Sequence, residues 1–304
     1  SVSGGLDGAG GLVGAANSTT VIESYATGDV NANGIAGGLI GVIYAGKVEE
    51  SYATGAVAST GSYVGGLVGQ SGATIDRSYA TGTVSGQNLV GGLVGAAIGA
   101  ITSSYATGAV SGTGERVGGL VGLTSQNITH SYATGAVSGI REVGGLVGTS
   151  GGAIVGSFAT GAVRATEDRV GGLAGQSYGD VTHSYATGLV SGMSEVGGLV
   201  GRQANGAVTY SYATGAVSGQ ADAGGLVGKS TGGSVDLSFY AVTSAGGDEI
   251  NGGGDASGIW SGNAYGTAKT YAELADLTTF KEAWGDAIDD LGGTESVWRI
   301  YDGF

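Results

Sequence analysis

The sequence predicts an all-β protein: a parallel β-solenoid of about nine coils of 26–28 residues, followed by a small C-terminal α+β cap. Three observations predict it. A motif recurs at a near-constant period, apolar residues fall in short runs bounded by small polar residues, and 68 of the 304 residues are glycine. Average glycine usage is about 7%, so this excess is the largest departure from a globular composition.

The period comes first, because self-similarity decides the architecture. Gly-Gly-Leu recurs with its leucine at Leu12, Leu39, Leu67, Leu93, Leu120, Leu146, Leu173, Leu199 and Leu226. Ser-Tyr-Ala-Thr-Gly recurs with it, its aromatic residue at Tyr25, Tyr52, Tyr79, Tyr105, Tyr132, Phe158, Tyr185 and Tyr212. A branched residue precedes each aromatic by four positions (Val48, Ile75, Ile101) and a valine follows by five (Val57, Val84, Val110). Each unit is too short to bury an apolar face alone, so neighbours must stack. Helices are disfavoured, since each interior glycine costs about 1 kcal/mol relative to alanine. Short Val, Leu and Ile runs between Gly, Ser and Asn read as strands and turns. In-register stacking at about 4.8 Å per coil gives a rod of about 40 Å.

Strand alternation then sorts the faces. In Ser51-Tyr52-Ala53-Thr54-Gly55-Ala56-Val57, one face holds Ser51, Ala53, Gly55 and Val57, the other Tyr52, Thr54 and Ala56. The position of Ala56 is Asp29, Thr83 and Leu189 elsewhere, so the Tyr/Thr face is expected outward. Small inward residues would let two sheets approach closely. Glu115-Arg116, Arg141-Glu142, Glu167-Asp168-Arg169 and Glu49-Glu50 are expected at solvated turns.

Residues 1–235 therefore form the repeat domain and residues 236–304 a second region, where the period fades. That region carries twelve of the chain's acids and all three tryptophans (Trp260, Trp284, Trp298). Thr270-Tyr271-Ala272-Glu273 is a capping-box pattern. Leu274, Leu277, Phe280, Trp284 and Ile288 follow at helical spacing, so one short amphipathic helix is expected, stopped by Gly292-Gly293. Its simplest role is to cap an open solenoid end, which would otherwise expose unpaired backbone. An acidic aromatic ligand surface is the alternative.

Composition excludes several function classes. There is no proline, hence no collagen or polyproline stalk, and no cysteine, hence no disulfide or thiolate metal site. The net charge of −14 disfavours nucleic acid and anionic lipid as partners. No apolar run approaches the ~20 residues of a membrane helix, so no membrane insertion is expected. No export signal is seen, and the chain reads as a mature product or an excised piece.

Catalytic chemistry finds few residues. His130 and His183 lie two coils apart, about 10 Å at the strand spacing, too far to share a metal. They read as solvated turn residues. No Gly-x-Ser-x-Gly elbow accompanies the repeated serines. Asp248, Glu249, Asn251 and Asp255 supply oxygens of the kind Ca²⁺ takes, but their spacing matches no EF-hand loop, and a solvated loop is the alternative reading. No other cofactor is implied. The expected interaction face is the aromatic column from Tyr25 to Tyr212 together with Thr27, Thr54, Thr81, Thr107, Thr134, Thr160, Thr187 and Thr214. Stacked aromatics stabilise neighbouring coils by about 0.5–1.5 kcal/mol per pair. The same stripe, if exposed, is a sticky patch of the kind that marks interaction sites.

Val-Gly-Gly-Leu-Val-Gly followed by Ser-Tyr-Ala-Thr-Gly resembles the GLUG motif repeat of large bacterial surface proteins, over about Gly10 to Ser244. Such repeats occur in filamentous-haemagglutinin-like adhesins and beside the protease domain of some surface peptidases. Ser296 to Phe304 is similar to the segment closing a repeat block in two-partner-secreted exoproteins. The resemblance implies a cell-surface or secreted adhesin and brings no catalytic residues. The peptidases' His-Glu-x-x-His motif is absent from this sequence. The expected function is a non-enzymatic extracellular structural or adhesive rod. Its partners would be a host or surface glycan or protein, or other copies in a filament. The alternative is a binding module using the Tyr/Thr ladder for glycan, ice or self-assembly.

Overall fold

The computed structural model describes residues 2–4, 8–250 and 265–285. Each coil contributes five short strands. In the fifth coil they are Glu115–Gly118, Val121–Thr124, Ile128–Thr129, Tyr132–Ala133 and Val137–Gly139. Their equivalents pair in parallel along the rod, giving four nine-stranded sheets and a ten-stranded one that carries the tyrosines. The protein is the all-β parallel solenoid that the period predicts.

Register is exact from coil to coil in the sense that like residues meet: Ile101 pairs with Ile128, Tyr105 with Tyr132 and Val110 with Val137. The interior divides into two apolar columns. One holds the buried leucines, the Ile101 and Val121 columns and the alanines of the tyrosine sheet. The other packs Val110 and Val137 against Val117 and Val143. Between the two lobes the coil is pinched. A Cβ on Gly119 would lie 2.9 Å from Ala133 Cβ and would overlap the Gly145 carbonyl oxygen of the next coil. The small inward residues thus bring two walls into contact, as strand alternation suggests.

Glycine does this by close approach, not by left-handed turns. The left-handed corners before the aromatic column are held by other residues in every coil but the sixth, where Gly156 has φ 58°. Glu50, Arg77, Ser103, His130, His183 and Tyr210, each two positions before an aromatic, have φ of 45–51°. Such a conformation costs a non-glycine residue about 1–2 kcal/mol. It turns the backbone N–H of the following serine away from its regular partner, and the serine side chains repair the loss. Ser104 N–H donates to Ser131 Oγ at 3.1 Å, and Ser131 Oγ–H donates to the Thr129 carbonyl at 2.9 Å. The same link runs from Ser24 to Ser51, through every coil, to Ser211 and Ser238.

The stacking continues beyond Val235. Tyr212 pairs with Phe239, which pairs with Thr267. Tyr240 replaces the inward alanine and packs with Tyr265 against the leucine lobe, so aromatic bulk fills the last layer. Two short helices follow where one was expected: α1 (Tyr271–Leu274) and α2 (Leu277–Trp284). The capping box forms at Thr270 and Glu273. Asp276 then caps a second start by accepting from Thr278 N–H, which breaks the helix at Ala275. Ile288 and Gly292-Gly293 lie outside the described residues.

Two substitutions separate these constraints. Gly119→Ala should lower unfolding stability by about 3 kcal/mol through backbone overlap. Ser131→Ala leaves the buried Ser104 N–H without its acceptor and should cost about 1–3 kcal/mol. Denaturant titration of both, with Thr134→Ala as an exposed control near zero, is the measurement.

Candidate functional site

The tyrosine sheet puts its alanines inward and its aromatics and threonines outward. Ala53 to Ala213 are buried, Tyr52 to Tyr212 are half-buried, and Thr27, Thr54, Thr81, Thr107, Thr134, Thr160 and Thr187 are exposed, with Thr214 half-buried. Tyr25, in the first coil, is 59% exposed. The expected face is therefore a continuous surface feature. Its rings stack from Tyr25 to Tyr212 at 4.8–5.2 Å between centroids with planes within 8°.

This geometry determines what the stripe offers. Each ring face is covered by the next ring, so a ligand meets ring edges and hydroxyls. A sugar that stacks on an open aromatic face finds none along the stack. Burial raises the pKa of Tyr105, Tyr185 and Tyr212, and for Tyr105 and Tyr212 the neighbouring tyrosine adds to it. The hydroxyls therefore stay neutral donors well above physiological pH.

The last part of the stripe is already occupied. Phe280 of α2 lies 5.6 Å from Tyr212 and 5.8 Å from Phe239. Trp284 stacks on Phe239 at 5.8 Å, meets Tyr210 edge-on at 6.2 Å, and its indole N–H donates to the Leu237 carbonyl at 2.8 Å. Phe280 and Trp284 are 1% and 4% exposed. The helix that was expected to close the rod's end lies against its side.

The histidines separate. His130 is exposed, whereas His183 is half-buried and stacks on Tyr210 at 5.0 Å, and burial lowers its pKa. Of the calcium candidates, Asp248 and Glu249 lie in an exposed turn where Ser244 Oγ accepts from Asp248 N–H. Asn251 and Asp255 lie outside the described residues. Among the described residues no group of three His, Cys, Asp or Glu is placed to hold a metal.

The charged pairs correct the expectation of solvated turns. Glu115–Gly118, Arg141–Gly144 and Asp168–Gly171 are strands. Glu142 is 5% exposed, accepting from Arg116 at 3.0 Å, Arg169 at 2.6 Å and Thr149 at 2.8 Å. Burial alone would raise the pKa of Glu142. The Thr149 and Arg116 hydrogen bonds, with the charges of Arg116 and Arg169, hold it below the usual carboxylate range instead. Like charges would meet coil to coil at about 4.8 Å, and this left-handed column alternates Arg116, Glu142, Arg169, Glu195; where Asp222 follows Glu195, Lys229 pairs with both carboxylates, at 3.4 Å and 3.0 Å. The serine ladder also went unread as a feature of the fold. Its signal was present, because Ser24 to Ser238 precede the aromatic in all nine coils.

The GLUG motif matches residues 60–85, 113–138 and 194–218. Each match runs from the approach to the Gly-Gly bend, through the tyrosine strand, into the following valine strand, nearly one full coil. The chain is thus a GLUG-repeat β-solenoid. No curated protein and no solved structure matches it.

Two measurements follow. Tyr105→Ala removes two stacking contacts and should cost about 2 kcal/mol, read by thermal melting. A carboxyl whose pKa is depressed in the folded state stabilises above its unfolded pKa, and that contribution disappears as pH falls through the folded value. Stability should therefore drop below about pH 4.5, the ordinary Glu value. Glu142→Gln should be less stable at pH 7 and show a shallower loss between pH 5 and 3, about the window of Glu titration.

Proposed function

We propose that this protein is a stiff, non-enzymatic structural or adhesive rod of the bacterial cell surface or extracellular space. The observation that supports this most is the unbroken set of columns. Serine links and five parallel sheets run through nine coils and stacked rings through eight, so load along the axis is shared by bonds between every pair of neighbours. The surface hollows fit a rod better than an enzyme. One open groove of about 480 Å³ runs over Asn31, Ala58 and Ser85, and another of about 380 Å³ over Ala109, Ala136 and Ser138. Both lie along the outer face of the valine sheet and are lined mainly by small side chains.

The Tyr/Thr stripe supports self-association as a second reading, because α2 already buries apolar side chains on it. Ice binding gains less, since the exposed threonines form a single row beside half-buried tyrosines rather than a flat plane.

Single-molecule pulling on the full chain tests the rod reading. One coil of 26–28 residues should release about 90 Å of contour as it unravels, in repeated steps. Yielding in one low-force event would defeat it. Antibody labelling of intact cells of the source organism tests the location, and staining that requires permeabilised cells would contradict it.

A further inference from the structure

We propose that one corner of the rod is a self-complementary edge, by which two copies of this chain pair side by side and antiparallel. The corner follows the Val121–Thr124 strand and its equivalents. Its residues form a single column, because each donates its backbone N–H to the coil before: Tyr44 to the Ala16 carbonyl, Ile98 to Ser71 and Tyr178 to Ser150. These three side chains project from the edge. Tyr44 is 64% exposed, Ile98 61% and Tyr178 47%. Among the described residues, the other exposed large apolar side chains lie in the first coil, at Leu189 and Met193, and at Leu237, and form no such column. The coils between the projecting residues carry small ones: Gly72 in the third, Ser125 in the fifth, Gly151 in the sixth and Ala204 in the eighth. A Cβ on Gly72 would overlap the Tyr44 carbonyl oxygen, so that gap cannot be filled from its own coil.

The order of large and small residues is what selects a second copy as the partner. Reversing the column about the fifth coil sets Tyr44 opposite Ala204, Gly72 opposite Tyr178, Ile98 opposite Gly151 and Ser125 opposite itself. Every projecting side chain meets a small one, and each contact occurs twice, as a two-fold axis requires. Tyr44 and Ile98 are two coils apart, about 10 Å, so a ring entering over Gly72 lies about 4.8 Å from each. That is the spacing at which the tyrosine column of the rod already stacks. A parallel pairing would instead set Tyr44 on Tyr44 and Gly72 on Gly72, bulk against bulk with voids between. The flanking columns accept the same reversal. On one side Gln70 meets Gln176, Leu123 meets itself and Arg202 meets Val42. On the other, Glu49 meets Thr209 and Asp76 meets Thr182, so no like charges are opposed. A contact about three columns wide along a rod of about 40 Å covers about 600 Å² per copy, or about 1,200 Å² in all, the lower bound for a specific interface. The pairing stands whether or not the rod is an adhesin.

Sedimentation velocity on the full chain, from about 5 to 500 µM, tests the edge, and crosslinking tests the orientation. The expected result is a monomer–dimer equilibrium that stops at the dimer. Tyr178→Ser should weaken it at least about tenfold; the fold tolerates serine in this column, since Ser125 occupies it. Ser125→Arg should weaken it as much, by setting two like charges face to face on the axis. Leu189→Ser, at an exposed apolar residue away from the edge, should leave it unchanged. The chain has no cysteine, so single thiols can be placed at will. With a short bismaleimide, the Ser125→Cys variant should link to itself. The Tyr44→Cys and Ala204→Cys variants should link to each other when mixed, and neither to itself. A chain that stays monomeric throughout overturns the pairing, and a dimer indifferent to Tyr178→Ser and Ser125→Arg overturns the edge. Self-linking of the Tyr44→Cys variant overturns the antiparallel arrangement.

Discussion

Ala133 against Gly119 is the contact on which the rest of the structure depends. It pins the tyrosine sheet to the Gly-Gly bend and divides each coil into a leucine lobe and a valine lobe. Nothing larger fits on either side. The second glycine also faces the next coil's carbonyl, so the pinch fixes cross-section and axial spacing together. Once both are set, every other column is obliged to stack on its own kind at the strand repeat. The ring spacing of 4.8–5.2 Å in the tyrosine stack is a consequence of the backbone, not its cause.

Much of this was legible in the sequence, for a physical reason. A translationally repeated fold writes each contact as many times as there are coils, so Leu120 and Tyr132 announce themselves through their equivalents. Orientation was legible too, because Ala56 and its counterparts tolerate Asp29 and Leu189, which no interior position would. What could not be read was anything that depends on backbone conformation. The left-handed corners are occupied by Glu50, Arg77 and His130, residues that give no sign of positive φ. The serine ladder follows from those corners: its residues recur in every coil, but their bonding role depends on the backbone turn before them. Glycine, which usually marks such turns, holds this corner in one coil alone, at Gly156, so its abundance elsewhere in the repeat does not locate the turns.

Repetition also creates a problem that charged residues expose. An apolar or hydroxyl column gains from stacking identical side chains, but a charged column is destabilised by it. The sequence meets this by alternating sign in the corner column of Arg116, Glu142, Arg169 and Glu195, and by setting Lys229 between Glu195 and the Asp222 that follows it, while leaving its neighbours nearly invariant. These pairs therefore specify register as well as adding stability. A slip by one coil would place Arg116 against Arg169 and Glu142 against Glu195, at a cost that the surrounding valines could not sense. Buried ion pairs are weak evidence for stability in general. Here their information content is the stronger reason for their presence.

The same logic gives meaning to the other departures from the repeat. In a chain where eight or nine coils agree, a single coil that differs has escaped the constraint or answers to another one. Phe239 and Tyr240 depart at the end of the repeated columns: the first receives α2, and the second packs with Tyr265 against the leucine lobe. Gly156 and Phe158 depart in the sixth coil, where stacking continues unbroken on both sides and the ring spacing is unchanged at 4.8 Å. Gly156 suits its corner, where φ is 58° and glycine carries no Cβ penalty; packing along the axis gives no reason for Phe158, since tyrosine fits there in the coils before and after. The difference is confined to the outward edge of the ring and to the corner beside it, the two features that a ligand approaching from the side would meet. In a rod of repeats an exception shows where the constraint of stacking has been lifted, and this one lies on the outward edge.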